Sequence, residues 1–135
     1  MHKKFSQSSR FMTLLPLFLF IFSTYMLVPI SAAQSGNEIQ EKGQKVFKEK
    51  GCVACHSIGK GKVVGPDLLG VTQRRKAEWI KKWIMSPDTM VYTDPTAKEL
   101  LKVYLVPMPN QGVTGEEADI LIEYFKYEDA NNAKK

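Results

Sequence analysis

The residues of this chain best equipped for chemistry sit in one pentapeptide, Cys52-Val53-Ala54-Cys55-His56. A C-x-x-C-H run is the spacing by which haem c is attached to a polypeptide. Two thiols three positions apart can each add to one vinyl group of the same porphyrin. The adjacent histidine is then held beneath the iron, where its imidazole can be the fifth ligand. Other uses of paired cysteines fit less well. A zinc site takes four ligands, usually two Cys pairs or a Cys pair and a His pair. This chain has no third cysteine, and its only other histidine is His2. A thioredoxin-like dithiol also uses C-x-x-C, but within a βαβ pattern that the hydrophobic periodicity does not display. With both thiols committed to haem, no disulfide staples the fold.

An iron bound by His56 needs a donor on its other side. Met85, Met90 and Met108 are the candidates. Met85 ends a helical pattern and Met90 lies in an irregular stretch. Met108 stands between Pro107 and Pro109. Each proline locks φ near about −65°, and the residue before a proline is pushed to extended geometry. The chain at Met108 is therefore stiff and non-helical.

The N-terminus reads as a targeting segment. Lys3, Lys4 and Arg10 precede an apolar run from Phe11 to Ile30, and Ser31-Ala32-Ala33 follows. A positive start, an apolar middle and small residues are the order of a secretory signal. Cleavage is expected after Ala33, with residues 1–33 the signal peptide and residues 34–135 the domain. The apolar run is long and contains Pro16 and Pro29, so an uncleaved membrane anchor through residues 11–30 is the alternative. Either way the domain is expected to be periplasmic or extracytoplasmic. A lipid anchor on an N-terminal cysteine would need a cysteine outside the haem motif.

The net charge of +5 is partly an effect of this segment. Nineteen basic residues less the three at its start leave sixteen against fourteen acidic ones, a charge of +2 for residues 34–135. Nucleic-acid binding has little support at that balance. A domain of this length buries only a modest core by itself. A covalently held haem would give it a large apolar body to pack around.

The rest of the chain must position these groups. Ser35 with Glu38 reads as a capping box opening a helix that runs to about Lys50, where Gly51 ends it. Ile39, Gly43, Val46 and Phe47 share one of its faces. Gly43 weakens an isolated helix, and its expected use is close approach by another helix beside Phe47. Lys42, Lys45, Lys48 and Lys50 read mostly as a solvated face. Gly59, Gly61, Gly65 and Gly70 permit a loop that wraps a flat ligand. Thr72 to Ser86 carries a helical pattern with Ile80, Trp83 and Ile84 on one side, stopped by Pro87. Trp79 and Trp83 read as core or haem-edge packing, with indole N–H groups able to reach a propionate. Asp94-Pro95 starts another helix, with Ala97, Leu100, Leu101 and Tyr104 at helical spacing. Thr114 with Glu117 caps a last helix that carries Ala118, Leu121, Ile122 and Phe125 on one face. The tail from Asp129 reads as polar and frayed. There is no repeat and no convincing strand, so the fold class is all-α.

Taken in order, these features resemble class I (monohaem) c-type cytochromes over nearly all of residues 37–127. The family's first helix carries Gly-x-x-x-aromatic before the haem motif, matched by Gly43 and Phe47. Its last helix crosses the first with an aromatic pair, matched by Tyr124-Phe125. Its Gly-Pro-x-Leu loop is matched by Gly65–Leu68, and its Met-Pro before the final helix by Met108-Pro109. The resemblance implies a cytochrome c fold of about four to five short helices around one covalent haem c. It implies that the Pro66 carbonyl orients His56, that Leu68 packs on the haem, and that His56 and Met108 hold the iron. The segment from Arg74 to Val106 is longer and more helical than in minimal members, a departure that would mark a subfamily whose members are subunits of respiratory complexes.

The function implied is single-electron transfer between respiratory redox-partner proteins, without catalysis. Axial methionine raises the iron's potential, which suits late steps of respiration. Lys60 and Lys62 flank the attachment loop and could steer an acidic partner, or be ordinary solvated lysines. A dedicated cytochrome subunit of a membrane or periplasmic reductase or oxidase complex is the alternative. A haem enzyme or ligand sensor with an open distal site is disfavoured, because no histidine besides His56 follows residue 33 to act as a distal acid–base group.

Overall fold

The computed structural model describes residues 31–132, so the apolar run and nearly all of the expected signal or anchor segment lie outside the described residues. The described residues fall almost wholly in one unit, Ala33–Lys135. They form six α-helices: α1 Ser31–Glu49, α2 Val71–Arg74, α3 Ala77–Met85, α4 Pro87–Thr93, α5 Pro95–Tyr104 and α6 Gly115–Asn132. A 3-10 turn, Cys52–Ala54, carries the cysteine motif, and there is no strand among the described residues.

The first and last helices meet at the residue expected to let them. A methyl group added at Gly43 would overlap the side chain of Tyr124. Glycine inside a helix costs about 0.5–1 kcal/mol relative to alanine, which the aromatic packing at this contact offsets. Phe47 lies edge-on to Phe125 at 6.1 Å and tilted to Tyr124 at 6.3 Å. Such pairs contribute about 0.5–1.5 kcal/mol beyond the area they bury. Ile80 and Ile84 of α3 join Leu121, Ile122 and Phe125 of α6 in the same buried cluster. α6 packs along α2 and α3, while α4 folds back between α3 and α5.

Local capping rules hold where both partners are near in sequence. Asp94 accepts the Ala97 N–H at 2.9 Å and starts α5, with Pro95 in its first turn. Thr114 and Glu117 exchange the reciprocal bonds of a capping box, at 3.2 and 2.9 Å. Four expectations need correction. Ser35 does not cap α1, because the helix runs through it from Ser31; Ala32 and Ala33 are strong helix formers. The pattern over 72–86 is two helices, separated by extended Arg75 and Lys76. Pro87 opens α4 as well as following α3, since a first-turn proline forfeits no helical hydrogen bond. Met90 is therefore helical, where an irregular stretch was expected.

The fourth correction is the tail. α6 continues to Asn132, and Asp129 is buried. Its carboxylate accepts the N–H groups of Gly70 and Thr72 and the Thr72 hydroxyl. It thus caps α2 from the neighbouring α6, near the other end of the chain, satisfying donors that a four-residue helix leaves open.

Replacing Gly43 with leucine forces a side chain into the Tyr124 contact. Overpacking of this kind costs about 1–3 kcal/mol, so Gly43→Leu should lower the melting temperature measurably. An unchanged thermal transition would contradict the crossing.

Candidate functional site

The cysteine motif leaves α1 through Gly51, which is left-handed at φ 71°. The Cys55 and His56 N–H groups both donate to the Cys52 carbonyl, at 3.1 and 2.9 Å. That tight turn puts Cys52, Cys55 and His56 on the wall of one cavity of about 670 Å³, a size usual for small-molecule and cofactor sites. Neither cysteine is in a disulfide, and both are half-buried. Burial pushes the Cys52 thiol above its ordinary pKa. A dithiol built for exchange has its attacking thiolate stabilised instead, which is not the environment of Cys52.

His56 is held from behind. Its Nδ1–H donates to the Pro66 carbonyl at 2.9 Å, which leaves Nε2 with its lone pair for a metal. Gly65 lies against the ring, and any Cβ there would overlap the imidazole. The loop is stitched to the motif by Gly65 N–H to the Cys55 carbonyl and Leu68 N–H to the Ser57 carbonyl, both 2.8 Å. Leu68 lines the cavity beside Pro66.

Met108 lines the same cavity. Met90 is 1% exposed in the interior of α4, and Met85 packs against the core cluster; neither lines the cavity. The chain after Met108 is pinned by polar side chains. Asn110 donates to Asp88 at 3.1 Å and accepts the Gly112 N–H at 3.0 Å. Lys50 donates to the Gly112 carbonyl at 3.1 Å and pairs with Glu117 at 2.8 Å. The sequence alone places Lys50 on a mostly solvated face. Its partner is 62 positions away, beyond any local pattern; Lys42, Lys45 and Lys48 are exposed as expected.

Trp79 and Trp83 stack at 5.7 Å and both line the cavity. The Trp79 indole N–H is buried without a well-formed hydrogen bond. Asp94 lies in its neighbourhood, with a carboxyl held below the usual range chiefly by the Ala97 N–H. Of the two loop lysines, Lys62 reaches the cavity rim, 5.0 Å above the Tyr104 ring. An apolar-walled space, two thiols, an oriented imidazole and a thioether fit a haem.

The family model for cytochrome c matches residues 40–127. This chain belongs to the cytochrome c family. It is a class I c-type cytochrome, a monohaem electron-transfer protein with one covalently attached haem c. A cytochrome c-551 of Pseudomonas denitrificans is 34% identical over 85 residues, covering 62% of this chain and 93% of that one. A cytochrome c-551 of Stutzerimonas stutzeri is 31% identical over 108 residues, covering 73% and 92%. Among solved structures, cytochrome c from Rhodothermus marinus superposes with a TM-score of 0.66 at 27% identity, covering 70% and 80%. A cytochrome c domain from Pseudomonas putida gives 0.61 at 35% identity, covering 68% and 92%. The expected family, all-α fold and haem c cofactor are met.

Sequence reasoning missed Asp67 in this cytochrome loop. Burial works to raise its pKa, but the N–H groups of Leu69, Gly59 and Gly61 outweigh that and hold it below the ordinary 3.8. A short acid among glycines is a known backbone-bonding signal; which amides it bonds depends on the loop closing. Because the folded pKa is depressed, the stabilisation is fully present above the unfolded value. It is lost as pH falls through the folded value, since the unfolded chain binds the proton first. The stability gap between the protein and Asp67→Asn should be constant near neutral pH and shrink below about pH 4. A gap that stays constant into strong acid would contradict the depressed pKa.

Proposed function

We propose that the protein is an exported, His56/Met108-ligated cytochrome c that passes single electrons between respiratory redox partners and has no catalytic role. The observation that carries the ligand assignment is the shared cavity. His56, oriented by Pro66, and Met108 line it together, while Met90 and Met85 do not. When bound, haem c supplies a reversible one-electron iron couple.

The chain's own residues divide the remaining work. Cys52 and Cys55 anchor the porphyrin through thioether bonds. His56 offers Nε2 while Pro66 holds its ring. Met108 offers a soft thioether from a segment stiffened by Pro107 and Pro109. Leu68, Ile80 and Leu101 are among the apolar walls that exclude water. Lys62 at the rim favours an acidic partner surface. Export is supported by the N-terminal order of charge, apolar run and small residues in the sequence. No described helix is long and apolar enough to cross a membrane, and residues 11–30 lie outside the described part.

Met108→Ala and Met90→Ala separate the two rival donors. In the oxidised holoprotein, Met108→Ala should abolish the weak far-red sulfur-to-iron absorption band and let added imidazole bind readily. Met90→Ala should keep the band and lose stability through the cavity it leaves, by about 2–5 kcal/mol. Loss of the band in Met90→Ala alone would reverse the assignment.

A further inference from the structure

Pro66 offers His56 a carbonyl, but a proline does not by itself fix where that carbonyl sits. Residues 57–70 contain no helix or strand; the Gly65 and Leu68 N–H groups tie the loop to the haem motif on either side of Pro66, and a side chain closes the loop on itself. The next residue supplies the tie. Asp67 Oδ1 accepts the Gly59 N–H at 2.8 Å and the Leu69 N–H at 2.9 Å, and Oδ2 accepts the Gly61 N–H at 2.5 Å. One carboxylate thus joins the outgoing limb of the loop, 59–61, to its returning limb, 67–69. Arg74 closes the same limb from α2, donating to the Leu69 carbonyl at 2.6 Å and the Asp67 carbonyl at 3.1 Å.

The donors favour an anion. Gly59 and Gly61 are exposed, so water competes for their N–H groups. Charge-assisted bonds to a carboxylate are about twice as strong as neutral ones. An asparagine could not substitute: it has one acceptor oxygen, and its NH2 would meet a donor. A glutamate keeps the charge but carries it one methylene too far.

We propose that Asp67 is a positioning residue: it holds the Pro66 carbonyl on His56 Nδ1–H and so sets how strongly the imidazole donates to the iron. This rests on His56 being an iron ligand. A looser Nδ1–H bond makes the imidazole a weaker donor, which disfavours oxidised iron and raises the reduction potential. Deleting a nearby negative charge raises the potential as well, so potential alone does not separate positioning from charge.

The experiment uses the holoprotein with Asp67→Asn and Asp67→Glu. It reads hydrogen exchange of His56 Nδ1–H by NMR in the reduced state, alongside the potential. Both variants should speed that exchange by about tenfold, the equivalent of one net hydrogen bond, and both should raise the potential. A glutamate variant that matches the wild type while the asparagine variant shifts only in potential would show a pure charge effect and overturn the proposal. If neither variant takes up haem, the wild type decides. Its exposed Gly59 and Gly61 amides should be protected from exchange; rates of an open chain would overturn the clamp. Wild-type His56 ring protons without the displacement of an axial ligand would instead remove the ligand reading, and this proposal with it. Displaced His56 protons with unaltered exchange in both variants would remove the Asp67 proposal alone.

Discussion

The close contact of Gly43 with Tyr124 is the constraint from which the site follows. It fixes α1 against α6 at one short crossing, with Phe47 and Phe125 packed beside it. The cysteine motif leaves the C-terminal end of α1, and the Met108 segment enters the N-terminal end of α6. Fixing the helices therefore fixes the roots of both arms that reach the cavity. Lys50 reinforces the arrangement by bonding Gly112 and Glu117 where these two helix ends come together. A side chain at position 43 would displace Tyr124, and the error would reach both arms.

Apolar and polar interactions divide the remaining labour. Helices α1, α3 and α6 supply the buried cluster around Phe47, Ile80 and Phe125. That burial is non-directional and sets no atom to within a fraction of an ångström. The two irregular arms need such placement, and directed hydrogen bonds provide it. Asp67 and Arg74 close the loop behind His56. Asn110 and Lys50 pin the chain beyond Met108. Asp129 ties the start of α2 to α6. Each of these polar side chains bonds backbone groups that no helix or strand satisfies.

The sequence was most informative where function depends on neighbours along the chain. The Asp94 and Thr114 caps and the apolar face of α6 are local patterns, and they hold; the C-x-x-C-H run is local too, and its Cys52, Cys55 and His56 line one cavity. Gly43 was legible for a related reason: a glycine in a helix next to an aromatic has few uses other than close approach. The misreadings arose where the deciding partner is distant. Asp129 read as a frayed tail because its partners, Gly70 and Thr72, lie 59 and 57 positions upstream. Lys50 read as one more exposed lysine because Gly112 is remote. The break at Arg75 and Lys76 carries no glycine or proline to mark it. Pro87 marks the end of α3 in the sequence, but it opens α4 as well, which makes Met90 helical.

The central claim is that Met108 and His56 share one iron. NMR of the reduced holoprotein, with methionine methyl groups isotopically labelled and assigned by substitution, tests it most directly. A methyl group on an iron-bound thioether sits over the porphyrin ring and is shifted far upfield. The account predicts one such methyl, belonging to Met108, with Met85 and Met90 in the ordinary range. An upfield methyl that belongs to Met90 or Met85, or no displaced methyl at all, would contradict it.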